Sequence, residues 1–168
     1  MEHRKKEKIS MKTWQYLLGG VGILFLVIQL VPNDLPEVKT DNPGDLIGSG
    51  IVSDEVASLI KKSCYDCHSN TTRYPWYAYV APSSWLVAKD IREAREEVNF
   101  SNWNDYDMMG KLAILDDIYS EVEEEHMPMP IYTVLHSDAK LDAAQRQKIM
   151  EWAEATMDII AEEDDSEL

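Results

Sequence analysis

Cys64-Tyr65-Asp66-Cys67-His68 brings two thiols and an imidazole into five consecutive residues, and Cys-x-x-Cys-His is the spacing that attaches c-type haem. The two thiols suit the vinyl groups on one porphyrin edge, to which they add as thioethers. The histidine follows at once, so its imidazole can reach the iron from the proximal face. These are the only two cysteines of the chain, so no thiol is left over for another site. A zinc site needs four ligands at local spacings, and His3, His126 and His136 complete no zinc-finger pattern with the pair. A thioredoxin-like dithiol calls for a βαβ context, whereas the flanks here read as helix. The motif predicts one covalent haem c with its iron held by His68.

An iron that carries electrons takes a second axial ligand. Glu125-His126-Met127-Pro128-Met129-Pro130 is the segment best suited to give one, because thioether sulfur is soft and a His/Met pair raises the iron's potential. Each methionine precedes a proline, which biases it to extended backbone and so to a stiff loop. Met127 is the expected distal ligand, with His136 and Met129 as the alternatives. For the haem propionates, Arg73-Tyr74-Pro75-Trp76-Tyr77 offers a guanidinium, an indole N–H and phenols. Arg73, Trp76 and Tyr77 are therefore candidate propionate or haem-packing partners. Trp85 and Trp103 read as core aromatics around the macrocycle.

These residues need elements to position them. Residues 1–13 are basic (Arg4, Lys5, Lys6, Lys8, Lys12), and the eighteen residues from Trp14 to Val31 carry no charge. As a helix that run measures about 27 Å, just enough for a bilayer core. The positive-inside rule then leaves residues 1–13 in the cytoplasm. The expectation is a transmembrane signal anchor over 14–31 in the inner membrane, with the rest facing the periplasm. Residues 32–50, rich in Pro and Gly, read as a tether, 51–161 as the haem domain, and 162–168 as an acidic tail.

Within the domain the periodicity predicts four helices. Ser53 would cap one that carries Val56, Leu59 and Ile60 into Cys64. A second follows Pro82 with Trp85, Ala88, Ile91 and Val98. A third spans about Asp107 to Glu125, and a fourth starts near Asp142 with Ile149, Trp152, Ala153 and Ile160. No stretch alternates as a strand would. The fold class expected is all-α: a cytochrome c-like haem domain of about four helices, preceded by one N-terminal transmembrane helix. The formal net charge is −15, and the first 31 residues are net basic, so the acidity lies in the domain. Such a surface excludes nucleic acid as a partner and suits redox proteins at the membrane that carry a basic docking patch.

The chain resembles a bacterial haem-binding domain family of membrane-anchored, single-haem, cytochrome c-like proteins. The resemblance runs from Gln29-Leu30-Val31-Pro32 and Asn42-Pro43 through Cys64–His68 with Ser69-Asn70. It continues in Tyr74-Pro75-Trp76-Tyr77, Pro82-Ser83-Ser84-Trp85 and Asn99-Phe100-Ser101-Asn102-Trp103. It closes with Met127-Pro128, Tyr132, His136, Ala139, Leu141 and Trp152. It implies a periplasm-facing haem c domain with His68 proximal and the Met-Pro element near the haem. The family pattern has a His and a Gly before Asn-Phe-Ser, where this chain has Asp90 and Ala94. The expected function is single-electron transfer rather than enzymatic turnover. The alternative is a haem sensor, gas-binding module or peroxidase-like protein with an open distal site.

Overall fold

The computed structural model describes residues 11–167. Arg4, Lys5, Lys6 and Lys8, on which the expected membrane orientation rested, lie outside the described residues. All regular structure among the described residues is helical: α1 (Met11–Ile28), α2 (Asp54–Ser63), α3 (Tyr65–His68), α4 (Ser83–Glu97), α5 (Met108–Glu123), α6 (Pro130–Leu135) and α7 (Ala143–Glu167). The chain divides into two units. One lies within Met1–Leu35 and Pro75–Ala88, and the other comprises Pro36–Tyr74 and Lys89–Leu168.

The first unit corrects the expected membrane anchor. α1 stops at Ile28, so Leu30 and Val31 fall beyond it. Gln29 and Leu30 turn back through i→i−3 bonds to Leu26 and Val27, and Pro32 cannot continue a helix. The Gln29 carboxamide then donates to Phe25 O (2.9 Å) and Ala81 O (3.1 Å) and accepts from Ala81 N–H (2.9 Å). The uncharged helical run from Trp14 to Ile28 is therefore about 22 Å, against about 30 Å of hydrocarbon. No helix among the described residues is long and apolar enough to cross a membrane. The single-pass anchor at 14–31, and the inner-membrane, periplasm-facing location built on it, do not stand.

The second unit is assembled around α5 and α7, the most extensive helix pair. α7 turns Ile149, Trp152, Ala153 and Thr156 inward, the i, i+3, i+4, i+7 pattern of one buried face. α5 contributes Ile114, Leu115 and Val122, and α2 contributes Val56 and Ile60. Residues 36–50, expected as part of a tether, are built into this unit. Leu46 is fully buried, and its N–H donates to Phe100 O (2.9 Å). The acidic segment after Ala161 continues α7 to Glu167. Beyond the four predicted domain helices the structure adds α3 and α6, four and six residues long.

Leu115 has no exposed surface and sits in this core. Leu115→Ala is expected to cost about 2–5 kcal/mol. In urea unfolding this reads as a lower midpoint at unchanged slope.

Candidate functional site

The Ser53 hydroxyl caps α2 by accepting from Val56 N–H (3.4 Å), and the helix runs straight into Cys64. There the backbone tightens into α3: Cys67 N–H and His68 N–H both donate to Cys64 O, at 3.1 and 2.9 Å. One helical turn thus carries residues i, i+3 and i+4, so both thiols and the imidazole share a face. The turn is pinned from below. The buried Tyr65 ring stacks on Phe100 (5.4 Å, 18°), and its hydroxyl donates to Asp45 Oδ1 (2.9 Å). After the motif, Asn70 Oδ1 accepts from Asn99 Nδ2 (2.9 Å), and Asn70 N–H donates to Ser101 Oγ (3.0 Å).

His68 Nδ1 lies 3.0 Å from Ala94 O and 3.3 Å from Val98 O, the carbonyls at the end of α4. A carbonyl only accepts, so Nδ1 carries the proton and Nε2 keeps its lone pair for a metal. Burial lowers the pKa of His68 below its ordinary value, against the opposing pull of the Val98 and Ala94 carbonyls and of Glu97. The imidazole is therefore neutral and ready to ligate. Burial, reinforced by Cys67, pushes the Cys64 thiol up to about 12. Burial, reinforced by Asp66 and Asp90 and opposed by Arg95, pushes Cys67 up to about 11. Both cysteines are free. Reactive dithiols show the opposite, a lowered pKa.

All three side chains open into one cavity of about 680 Å³, within the roughly 300–1,000 Å³ of ligand sites. Val98 and Phe100 line one side, Ile114, Ile118 and Val122 of α5 another, and Met127, Pro128 and Met129 a third. Asp90, Glu93, Glu96, Glu97, Asp117 and Glu121 also border it, and among the described residues no Lys or Arg does. Ala94 and Asp90 both lie on this lining, and Ala94 supplies the carbonyl for His68. The Met127 loop is tied to the last turn of α5, where His126 N–H and Met127 N–H donate to Glu121 O at 3.0 and 3.1 Å.

The structure thus gathers Cys64, Cys67, His68, Met127 and Met129 around a common space. His136 is not on the lining and stacks on Tyr132 (4.3 Å, 13°). Arg73 is not on it either. Its Nε and Nη2 grip both oxygens of Asp66 (3.1 and 3.0 Å), and its backbone N–H bonds Asp66 Oδ1 (3.1 Å). Trp76 and Tyr77 belong to the first unit, where their rings meet edge to face (5.9 Å, 84°). Sequence reasoning missed the bond between Asp66 and Tyr132, whose hydroxyl donates to Asp66 Oδ2 (2.8 Å). No local pattern marks a bond between residues 66 positions apart.

The residues present fit a haem. Protonated thiols at the right spacing, a neutral imidazole with a free Nε2, and a largely apolar chamber answer to vinyl groups, iron and porphyrin face. Among the described residues, no group of three or more His, Cys, Asp and Glu side chains is placed to hold a metal ion by itself. The model of a haem-binding domain matches residues 23–155. No curated protein and no solved structure matches the chain. The match covers most of the chain and includes the entire cavity lining, and the protein belongs to the haem-binding domain family.

Proposed function

We propose that this haem protein is a monohaem c-type electron carrier. In this reading Cys64 and Cys67 hold the porphyrin as thioethers, His68 ligates the iron on the proximal side, and Met127 ligates it on the distal side. One observation carries it: both thiols and the neutral His68 open into a single apolar cavity that Met127 also lines. Iron bound in this way supplies reversible gain and loss of one electron, with no substrate bond made or broken.

The chain's own residues do the rest. The Ala94 and Val98 carbonyls orient His68 and make its Nε2 a better donor. Val98, Phe100, Ile114, Ile118 and Val122 exclude water from the ligand faces. The six carboxylates on the lining favour the more positively charged oxidation state. They also offer a complementary face to a redox partner with a basic docking patch, whose association would slow with added salt.

The full chain produced in a host that matures c-type haem is expected to carry one covalent haem, measured after denaturation. The double substitution Cys64→Ala, Cys67→Ala is expected to lose the covalent link. Retention of the link in that variant would overturn thioether attachment.

The native ferric spectrum is expected to be low-spin with the weak far-red band of iron–methionine ligation, and the ferrous protein to ignore carbon monoxide. Met127→Ala is expected to abolish the band, admit carbon monoxide and lower the reduction potential, within the roughly 0.8 V that axial ligands span. An unchanged spectrum and potential would move the ligand to Met129 or His136. A carbon-monoxide-reactive native protein would favour a sensor or peroxidase-like haem site.

A further inference from the structure

Met127 and Met129 sit in a segment with little packing of its own. α6, which follows directly, has no buried residue, and Ile131, Val134 and Leu135 are all exposed. Apolar burial therefore does little to fix the distal loop, and its hydrogen bonds must do so. At one end Met127 N–H donates to Glu121 O. At the other, Tyr132 N–H and Thr133 N–H both donate to Met129 O (3.0 and 3.2 Å), which makes Met129 the rigid start of α6. From the first turn of α6 the Tyr132 hydroxyl reaches across to Asp66 Oδ2 (2.8 Å).

Asp66 lies between the two cysteines of the haem motif, and its side chain is buried. Arg73 also binds its carboxylate, with three donors. These bonds orient the carboxylate, and the Tyr132 hydroxyl shares Oδ2 with the Arg73 guanidinium. This bond joins the proximal turn to the distal loop, which no stretch of adjacent chain connects.

We propose that Asp66 and Tyr132 are positioning residues that hold the Met127 loop closed over the iron site, with Arg73 orienting Asp66. This rests on the reading of Met127 as distal ligand. Ligand exchange at the iron would then require the loop to open, so an external ligand competes with closure. Its apparent affinity equals the intrinsic affinity reduced by the fraction of open protein.

The test titrates the ferric full-length holoprotein with cyanide and follows the far-red methionine band. The variants are Tyr132→Phe, which removes only the hydroxyl, and Asp66→Asn, which weakens the acceptor. Ile149→Val serves as a control that loosens the α5–α7 core away from the cavity. Loss of a charge-assisted hydrogen bond corresponds to about a tenfold rise in apparent cyanide affinity. Both variants are expected to show it with haem still covalently bound, the control is not, and the double variant should add little to either single one. If the native protein shows the methionine band but neither variant exceeds the control, the positioning role is overturned and the ligand assignment survives. If the native protein lacks the band, the distal assignment fails and this proposal falls with it.

Discussion

The hydrogen bond from His68 Nδ1 to the carbonyls of Ala94 and Val98 is the constraint on which the site depends. Ala94 O already accepts from Val98 N–H (3.0 Å), and a carbonyl has a second lone pair that can take the imidazole proton at the C-terminal end of α4. The bond gives the ring its acceptor there. It fixes the tautomer, turns Nε2 toward the cavity, and joins the motif turn to a helix that begins fifteen residues further along the chain. Everything else about the cavity is arranged around a ring whose orientation is already settled.

Charge and dielectric work against each other here. The interior of the cavity is apolar, which keeps His68 neutral and both thiols protonated. Its border is acidic, with carboxylates from α4 and α5 and, among the described residues, no Lys or Arg. The guanidinium that follows the motif in sequence, Arg73, is engaged by Asp66, whose buried carboxylate it compensates. Sequence adjacency made Arg73 look like a propionate partner. A buried aspartate seven residues earlier is the stronger claim on it, because an uncompensated buried carboxylate is costly.

What could be read from the sequence follows the range of the interactions involved. The motif was legible because its chemistry lies within five residues, and the long helices were legible because their apolar faces repeat over several turns. Ser53 does cap α2 with its side chain, as its position suggested. α3 and α6 escaped because four and six residues are too few to show a period. Pro130 also reads as a breaker, although proline suits a helix's first turn. The apolar run after the basic N-terminus misled for a related reason. Hydropathy counts residues, whereas the length of the helix is set by where Gln29 and Pro32 end it. Residues 36–50 looked like a linker by composition, yet a single buried leucine and an aspartate bonded to Tyr65 draw the stretch into the fold.

The two sides of the cavity are built by different physics. The side bearing Cys64, Cys67 and His68 needs only one helical turn and the end of α4, with a stacked tyrosine and phenylalanine beneath it. The side bearing Met127 and Met129 comes from a loop and a short exposed helix, held by local backbone bonds to Glu121 and Met129 and by the long-range bond from Tyr132 to Asp66. Local opening free energies are lowest where few apolar contacts are buried. The distal loop can therefore yield while the motif turn stays intact. With the thioether attachment and distal ligation proposed above, a site divided in this way would keep its prosthetic group through fluctuations that transiently expose the iron, giving Asp66 leverage over access without any part in attachment.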